Sequence, residues 1–464
     1  MSATARLLER RPKPGEPLRI LAASGQLGYG IPEPALRAGL ARQPHAIGCD
    51  MGSIDIGPAY LGSGRLSTSE ATTLRDLRLA LRGAREIDAP LLIGSAGSAG
   101  AEPHLARTLE FVDRIAREDG KVLRVAVIRA DIDRTWLRGM VAVGRTRPIG
   151  PGLPELDDET ITQAAHIVGQ MGTEAFLRAL ALSPDIVIAG RACDTAIFAA
   201  IPALLGYPTG PAMHMAKIIE CTSICCIPGG RDAMLGTLEG DSFTLESMNP
   251  ARAATPLSVA AHSLYEQADP HVVHEPEGTL DVRTARFEAI DDRRTRVSGA
   301  TWTDATQRTI KLEGATRIGE RAVLLAGSCD PRVIANREAI LEGVRGQVAE
   351  ILPGDDYRLI FRVYGTGATS LFPAAAPAPA EEVFFLGECV ADDADRAKAV
   401  VATAKQYLLH HGFAGRLSTG GNIAFPFTPP EISAGTAYRY SIYHLTECDD
   451  LAAAFPTELV TLGA

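Results

Sequence analysis

The chain has 464 residues, which at roughly 150 residues per domain makes about three units or two large ones. Hydrophobic residues at 46% and charged residues at 22% exclude a mainly disordered chain. The net charge of −10 comes with no long run of Lys or Arg. That excludes a nucleic-acid footprint and still leaves room for an anionic substrate held by a local arginine cluster.

In chain order, Arg19 to Ala23 reads as a strand and Ser24 to Gly30 as a glycine-bearing turn. Pro32 to Leu40 reads as a helix, and Ala46 to Cys49 as a strand entering the loop Asp50 to Gly64. Ser69 to Glu86 has apolar residues at helical spacing, with Thr68 or Ser67 as its N-cap. Leu91 to Gly94 is a buried strand before the small-residue loop Ser95 to Gly100, and Leu105 to Arg117 is a helix. Leu123 to Ile128 is a strand, Glu174 to Leu182 a helix, and Asp185 to Ala189 a strand ending at Gly190. Strand, glycine loop, helix, repeated, predicts an α/β fold: a Rossmann-like open parallel sheet with helices on both faces. Aromatic residues at 5% agree, because the core must then be built from Ala, Leu, Ile and Val.

The second half changes character, and a boundary is expected near residue 250. Residues 1–250 would form the Rossmann-like domain, and 251–464 an α+β domain completing the cleft. Thr279 to Ala300 reads as an antiparallel hairpin turning at Asp291-Asp292, and Thr309 to Leu312 as a further strand. Ala335 to Ile351 and Asp392 to His411 read as helices, the latter stopped by Gly412. Asp356 to Tyr364 and Glu382 to Val390 read as strands either side of the Pro373 to Pro379 linker, and a short helix–strand set closes the chain. Eight cysteines are too sparse for a disulfide scaffold, so reduced thiols are expected. With no signal-like apolar stretch after Met1 and no 18-residue apolar run, a cytoplasmic protein with no membrane span is expected.

Candidate chemistry gathers on loops after strands, where open α/β sheets bind ligands. Asp50 and Asp55 are two carboxylates among small residues, suited to acid and base work or to a divalent cation such as Mg2+; otherwise they cap turns. The loop holding Ser95, Gly97, Ser98 and Gly100 precedes a helix, so its N–H groups suit a phosphate or carboxylate; otherwise it packs strand on helix. It is neither the dinucleotide fingerprint nor a P-loop. Arg191 offers a fork for an anion, with Asp194 to orient it or to cap the helix; a purely structural pair is the alternative. His214, Lys217, Glu220 and Cys221 share helical spacing, which makes His214 a candidate base or a structural histidine. Gly365 and Gly367, and the loop Gly415 to Asn422, are ligand loops or plain turns. Cys225-Cys226 lacks partners at zinc spacing, and the absence of a G-x-S-x-G elbow argues against an α/β-hydrolase.

Several of these blocks together resemble the acyclic terpene utilization (AtuA) family, named after a bacterial catabolic gene cluster. The similarity is carried by Asp185 to Thr195, by His262-Ser263-Leu264-Tyr265-Glu266 with Asp269-Pro270, and by Arg296 to Ala300 and Phe361 to Gly365. It continues in Tyr407 to Phe413, Gly415-Arg416, Gly421-Asn422, Ala424 to Phe427, and the tail Tyr440 to Leu445 with Ala454-Phe455-Pro456. It departs from many members at Ser95 to Gly100 and at Gly365-Thr366-Gly367. The resemblance implies an enzyme of carboxylate or acyl-CoA catabolism and a small companion protein, either separate or carried as a C-terminal domain.

The expected function is a hydratase or lyase acting on a small carboxylic acid or its CoA thioester. Asp50, Asp55, Asp194 and His214 would be its catalytic residues. Ser95, Gly97, Ser98, Gly100, Arg191, Gly365, Gly367 and Asn422 would bind the substrate. The alternatives are a metal-assisted hydrolase or amidase of a small carboxylate, and a non-catalytic subunit that needs the companion. A homo-oligomer is the base-rate expectation.

Overall fold

Burial that alternates along each short strand decides the architecture of the first half. In Leu18–Ser24, Ile20 and Ala22 join one apolar layer while Leu21 and Ala23 join the other. Ile186–Ala189 divides in the same way, Val187 and Ala189 against Ile186 and Ile188. A strand apolar on both faces must be covered on both, which requires helices above and below a parallel sheet. The computed structural model describes residues 1–12, 16–265, 267–370, 380–417, 422–450 and 454–464.

The chain divides into two units, Met1–Thr316 with Tyr440–Ala464, and Arg317–Arg439. The position near residue 250 lies inside the first unit, whose large sheet draws strands from both sides of it. That sheet has ten strands among the described residues. Its parallel centre runs Leu18–Ser24, Ala46–Asp50, Leu91–Gly94, Ile186–Ala189, Leu123–Ile128. The helices Glu33–Ala41, Glu70–Glu86 and Glu102–Glu118 pack on one face. Thr173–Ala181, Asp194–Leu204 and Thr209–Ile219 cover the other.

The sheet is mixed rather than wholly parallel. Met234–Glu239 pairs antiparallel with the first strand, and Ser242–Ser247, Arg294–Ser298 and Arg286–Ala289 extend that edge. Thr457–Leu462 runs antiparallel beside Leu123–Ile128 and forms the opposite edge. The hairpin expected across Asp291-Asp292 is present and is part of this sheet.

Some boundaries differ for local reasons. Ser69, not Thr68 or Ser67, caps Glu70–Glu86, accepting from the Thr72 N–H at 3.2 Å. The strand expected at Thr309 to Leu312 continues to Ser328, and a 17-residue strand, Glu431–Glu447, occupies the stretch expected as a helix–strand set. The Pro373 to Pro379 linker lies outside the described residues.

In the second unit, Tyr357–Tyr364 pairs antiparallel with Val383–Ala391, which pairs in turn with the later part of Thr309–Ser328. The helices Pro331–Ile351 and Ala394–His410 bury Val344, Val348, Val400 and Val401 in one apolar cluster with Phe385 of this sheet. No helix among the described residues is long and apolar enough to cross a membrane.

Candidate active site

In a parallel sheet all strand ends of one sense meet at one edge, and here that edge gathers the turns after Ser24, Asp50 and Ala189. Gly25 sits where a Cβ would meet the Glu220 carbonyl oxygen at 2.3 Å, so the first turn lies directly on the end of Thr209–Ile219. Asp76, fully buried, holds the same turn from the outside. Its carboxylate accepts the N–H groups of Gly28, Gly30 and Ile31 at 3.0, 2.8 and 2.9 Å. Between these elements lies a cleft of about 200 Å3 lined by Asp50, Asp55, Asp194, Glu220, Arg231 and His262, with Ser24, Gln26, Cys221, Thr222 and Tyr265 among its other walls.

Asp50 is the last residue of its strand and is 2% exposed. One carboxyl oxygen accepts the Gly52 N–H at 2.8 Å, and the other, Oδ1, has no hydrogen-bond partner within the protein. Burial pushes its carboxyl well above the ordinary range, and the charge of Asp194 pushes it further; Arg191 and the Gly52 N–H pull the other way. Glu220, 7% exposed, lies 2.7 Å from the Lys217 ammonium. Burial raises it to about 8 against the opposing pull of Lys217. His262 stacks on Tyr265 at 5.5 Å between ring centroids, and its Nε2 has no hydrogen-bond partner. Burial, helped by Lys217, lowers it to about 4, so it is a neutral imidazole at pH 7. Arg231 is exposed, with its guanidinium 5.9 Å from the centroid of the Tyr29 ring.

Two further expected site residues, Asp194 and Asp55, line the same cleft. Asp194 opens the helix Asp194–Leu204 and stands 3.8 Å from Arg191. Asp55 is exposed and bonds to the Ser53 hydroxyl. Arg191, expected as a substrate fork, is 3% exposed and already engaged. Its Nε donates to Glu313 at 2.8 Å, and Nη1 reaches Ser95 Oγ at 3.3 Å and the Ala192 carbonyl at 3.2 Å.

The loop Ser95 to Gly100 packs tightly instead of presenting free amides. The N–H groups of Ser95, Ala96, Ser98 and Gly100 donate to the carbonyls of Gly190, Ala189, Ser95 and Ala96, and that of Gly97 faces Met51 Sδ at 3.4 Å. The helix that follows has its Glu102 N–H taken by Asp131 at 2.6 Å. Gly100 has φ +68°, and a Cβ there would meet the Arg191 nitrogen at 2.1 Å, so this glycine is required by close backbone approach.

His214 is a core residue rather than a cleft base. It is fully buried, its Nε2 pairs with Ser263 Oγ at 2.5 Å, and it meets Phe243 edge-on at 5.3 Å. Burial lowers it to about 3. Thr209–Ile219 is buried from Gly210 to Ile219, which leaves His214 in the core while the C-terminal end of the helix brings Glu220 to the cleft.

Gly365, Gly367 and Asn422 belong to the second unit. The two glycines, with φ +94° and +99°, form the turn after Tyr357–Tyr364. Asn422 is 8% exposed; in its favoured amide orientation it donates to Asp330 at 3.0 Å and accepts from Arg416 at 3.3 Å. Residues 418–421 of the same loop, and Glu266, lie outside the described residues. No group of three His, Cys, Asp or Glu among the described residues is placed to hold a metal ion.

In the sequence Glu220 and Lys217 stand out for their spacing and His262 and Tyr265 for their family-like block, with no local signal that sets them in a site. Arg231 carried no local signal beyond its place after Gly229-Gly230. Pairing of Leu18–Ser24 with both Ala46–Asp50 and Met234–Glu239 brings Asp50 and the segment just before Met234 to one edge of the sheet.

A further carboxyl sits under the cleft floor. Glu275 accepts from Thr195 Oγ1 at 2.6 Å, and burial raises it to about 7. A group protonated in the folded state and ionised in the unfolded one loses stability as pH rises from 4.5 to about 7. Glu275→Gln is therefore expected to stabilise the protein at pH 8, by at most about 3 kcal/mol, with the gain vanishing at pH 4. Urea unfolding of both proteins at the two pH values measures it, and an equal effect at both would show that Glu275 does not titrate in this way.

A family model described as acyclic terpene utilisation family protein AtuA matches residues 69–228 and 239–430. No curated protein and no solved structure gives a significant match.

Proposed function

The chain belongs to the acyclic terpene utilisation family AtuA, and from that membership we propose a cytoplasmic catabolic enzyme, a hydratase or lyase acting on a small carboxylic acid or its CoA thioester. The observation that carries this reading is the Asp50 carboxyl, buried at a strand end, lining the cleft, with an oxygen that nothing in the protein occupies. A carboxyl kept neutral by burial is a proton donor at neutral pH.

For loss of water from a 3-hydroxy acid or thioester, Glu220 takes the proton next to the carbonyl. The C–O bond breaks, and Asp50 delivers its proton to the departing hydroxyl, which leaves as water. Lys217, 2.7 Å from Glu220, opposes the burial that raises this carboxyl to about 8, so the ionised form that acts as base grows as pH rises toward 8. Arg231 is the exposed cation of the cleft and meets the substrate carboxylate or the phosphates of the CoA moiety, the role that Arg191 is too engaged to fill.

The test is direct. Purified chain is incubated with α,β-unsaturated acids and acyl-CoAs, crotonyl-CoA and mesaconate among them, while loss of conjugated absorbance is followed. Turnover by the chain alone, abolished in Asp50→Asn, supports the reading. A chain inert alone and active only with a small companion protein would move the chemistry to that partner.

A further inference from the structure

A second cavity of about 420 Å3 opens on the other side of the loop after Asp50. It shares Ser53 and Asp55 with the first cleft. Its remaining walls include Leu153, Pro154, Lys311, Tyr440 and Tyr443, all in the first unit. Tyr440 ties the shared loop down by donating its hydroxyl to the Ile54 carbonyl, and Ser98 Oγ donates to the Ser53 carbonyl at 2.9 Å.

Two cations share one buried carboxylate at this wall. Glu313 is fully buried and carries two cations, Arg191 Nε at 2.8 Å and Lys311 Nζ at 2.8 Å. Arg191 has a second carboxylate, Asp194, at 3.8 Å. For Lys311 no second carboxylate lies within 4 Å among the described residues. Its side chain remains 27% exposed and rests over the Tyr443 ring, 4.6 Å from the centroid. Ser441 Oγ already accepts from Thr316 at 2.8 Å, which leaves its own proton for another acceptor. Asp55, on the loop side, is the one opposing carboxylate among the cavity's lining residues apart from Glu313, and it turns to the Ser53 hydroxyl. An ammonium with spare donors, an aromatic floor and apolar walls is the chemistry that holds a carboxylate at the end of a short carbon chain.

We infer that this second cavity is a carboxylate subsite anchored by Lys311, and that the substrate is a dicarboxylic acid or its mono-thioester. The inference rests on the proposed function, since it places the reacting end at Asp50 and the distal carboxylate at Lys311 across a shared loop. Its test reads binding, which does not depend on turnover.

Glutarate and its monomethyl ester are titrated into the full chain by calorimetry at low salt. The expected result is that glutarate binds at least tenfold more tightly than the monoester. Lys311→Gln should abolish that preference and Lys311→Arg should keep it. Equal affinity for the two ligands in the unaltered protein would overturn the inference, as would a preference that survives in Lys311→Gln. Failure of glutarate, succinate and adipate to bind at all would overturn it too. The comparison between ligands needs no variant, so it stands even where Lys311→Gln does not fold. Diacid binding with no turnover would instead retain the subsite and reject the reaction.

Discussion

Asp50→Asn is expected to lower kcat/KM by about 10²- to 10⁴-fold, the range of a lost general acid, while leaving the thermal midpoint unchanged or higher. The two halves of this result have one cause. Burial raises the Asp50 carboxyl and so favours its neutral form in the folded protein, and an amide of the same shape replaces it without adding a charge. Asn still offers an oxygen to the Gly52 N–H, the bond that sets the start of the following loop at 2.8 Å. What it lacks is a transferable proton. The sign of the pH dependence follows: activity rises as Glu220 ionises near pH 8 and declines as pH passes through the elevated pKa of Asp50, because the ionised Asp50 is no longer a donor. On the stability side, a carboxyl raised in the folded state is destabilising above its unfolded value of 3.8, so Asn removes a penalty present at neutral pH and absent below that value. Rates from pH 6 to 10 and melts at pH 4 and 7 measure both halves. A variant that keeps half of its activity would show that the proton comes from elsewhere.

Glu220→Gln separates base from acid within the same cleft. The amide cannot accept the substrate proton, so turnover is lost, yet the Lys217 ammonium keeps an oxygen partner near 2.7 Å. Hydrogen exchange at the substrate carbon next to the carbonyl, followed in deuterated water, distinguishes the two variants. Asp50→Asn retains that exchange and Glu220→Gln loses it.

The parallel centre of the fold was legible because its information is local. Leu91–Gly94 and Leu123–Ile128 are short apolar runs bounded by turn residues, and their limits in the structure match the sequence reading. Asp50 was legible for the same reason: a carboxylate at the end of such a run must lie at the ligand-binding edge. The partners of Asp50 were not legible. Glu220 and His262 lie far along the chain, on elements whose apolar patterning reports burial and nothing about the neighbour that is met. Arg191 and Ser95 to Gly100 illustrate the opposite error. Composition correctly marked a cation and a run of small residues, but hydrogen-bond supply decides their use, and Glu313 and the carbonyls of Ala189 and Gly190 had already claimed those donors.

Glu313 is the residue whose loss is expected to damage the fold most. Burial alone would raise its carboxyl, yet Arg191 and Lys311 pull harder and hold it below the ordinary value of 4.5. Glu313→Gln keeps the volume and removes the charge, leaving two cations facing each other across a site where Arg191 is 3% exposed and cannot shed its proton. Breaking one member of a buried ionic group costs about 3–5 kcal/mol, and that is the loss expected in urea unfolding at pH 7. The contribution is present above the unfolded pKa of the carboxylate and is lost as pH falls through the lower folded one, so the gap between the two proteins should narrow below pH 4.5. Lys311→Met in the Glu313→Gln background removes one of the two stranded charges. The double variant should therefore be more stable than the sum of the single losses, with a coupling of about 0.5–3 kcal/mol. A Glu313→Gln loss below about 1 kcal/mol would be the value of an exposed pair. It would mean that water reaches the triad from the cavity that Glu313, Arg191 and Lys311 line.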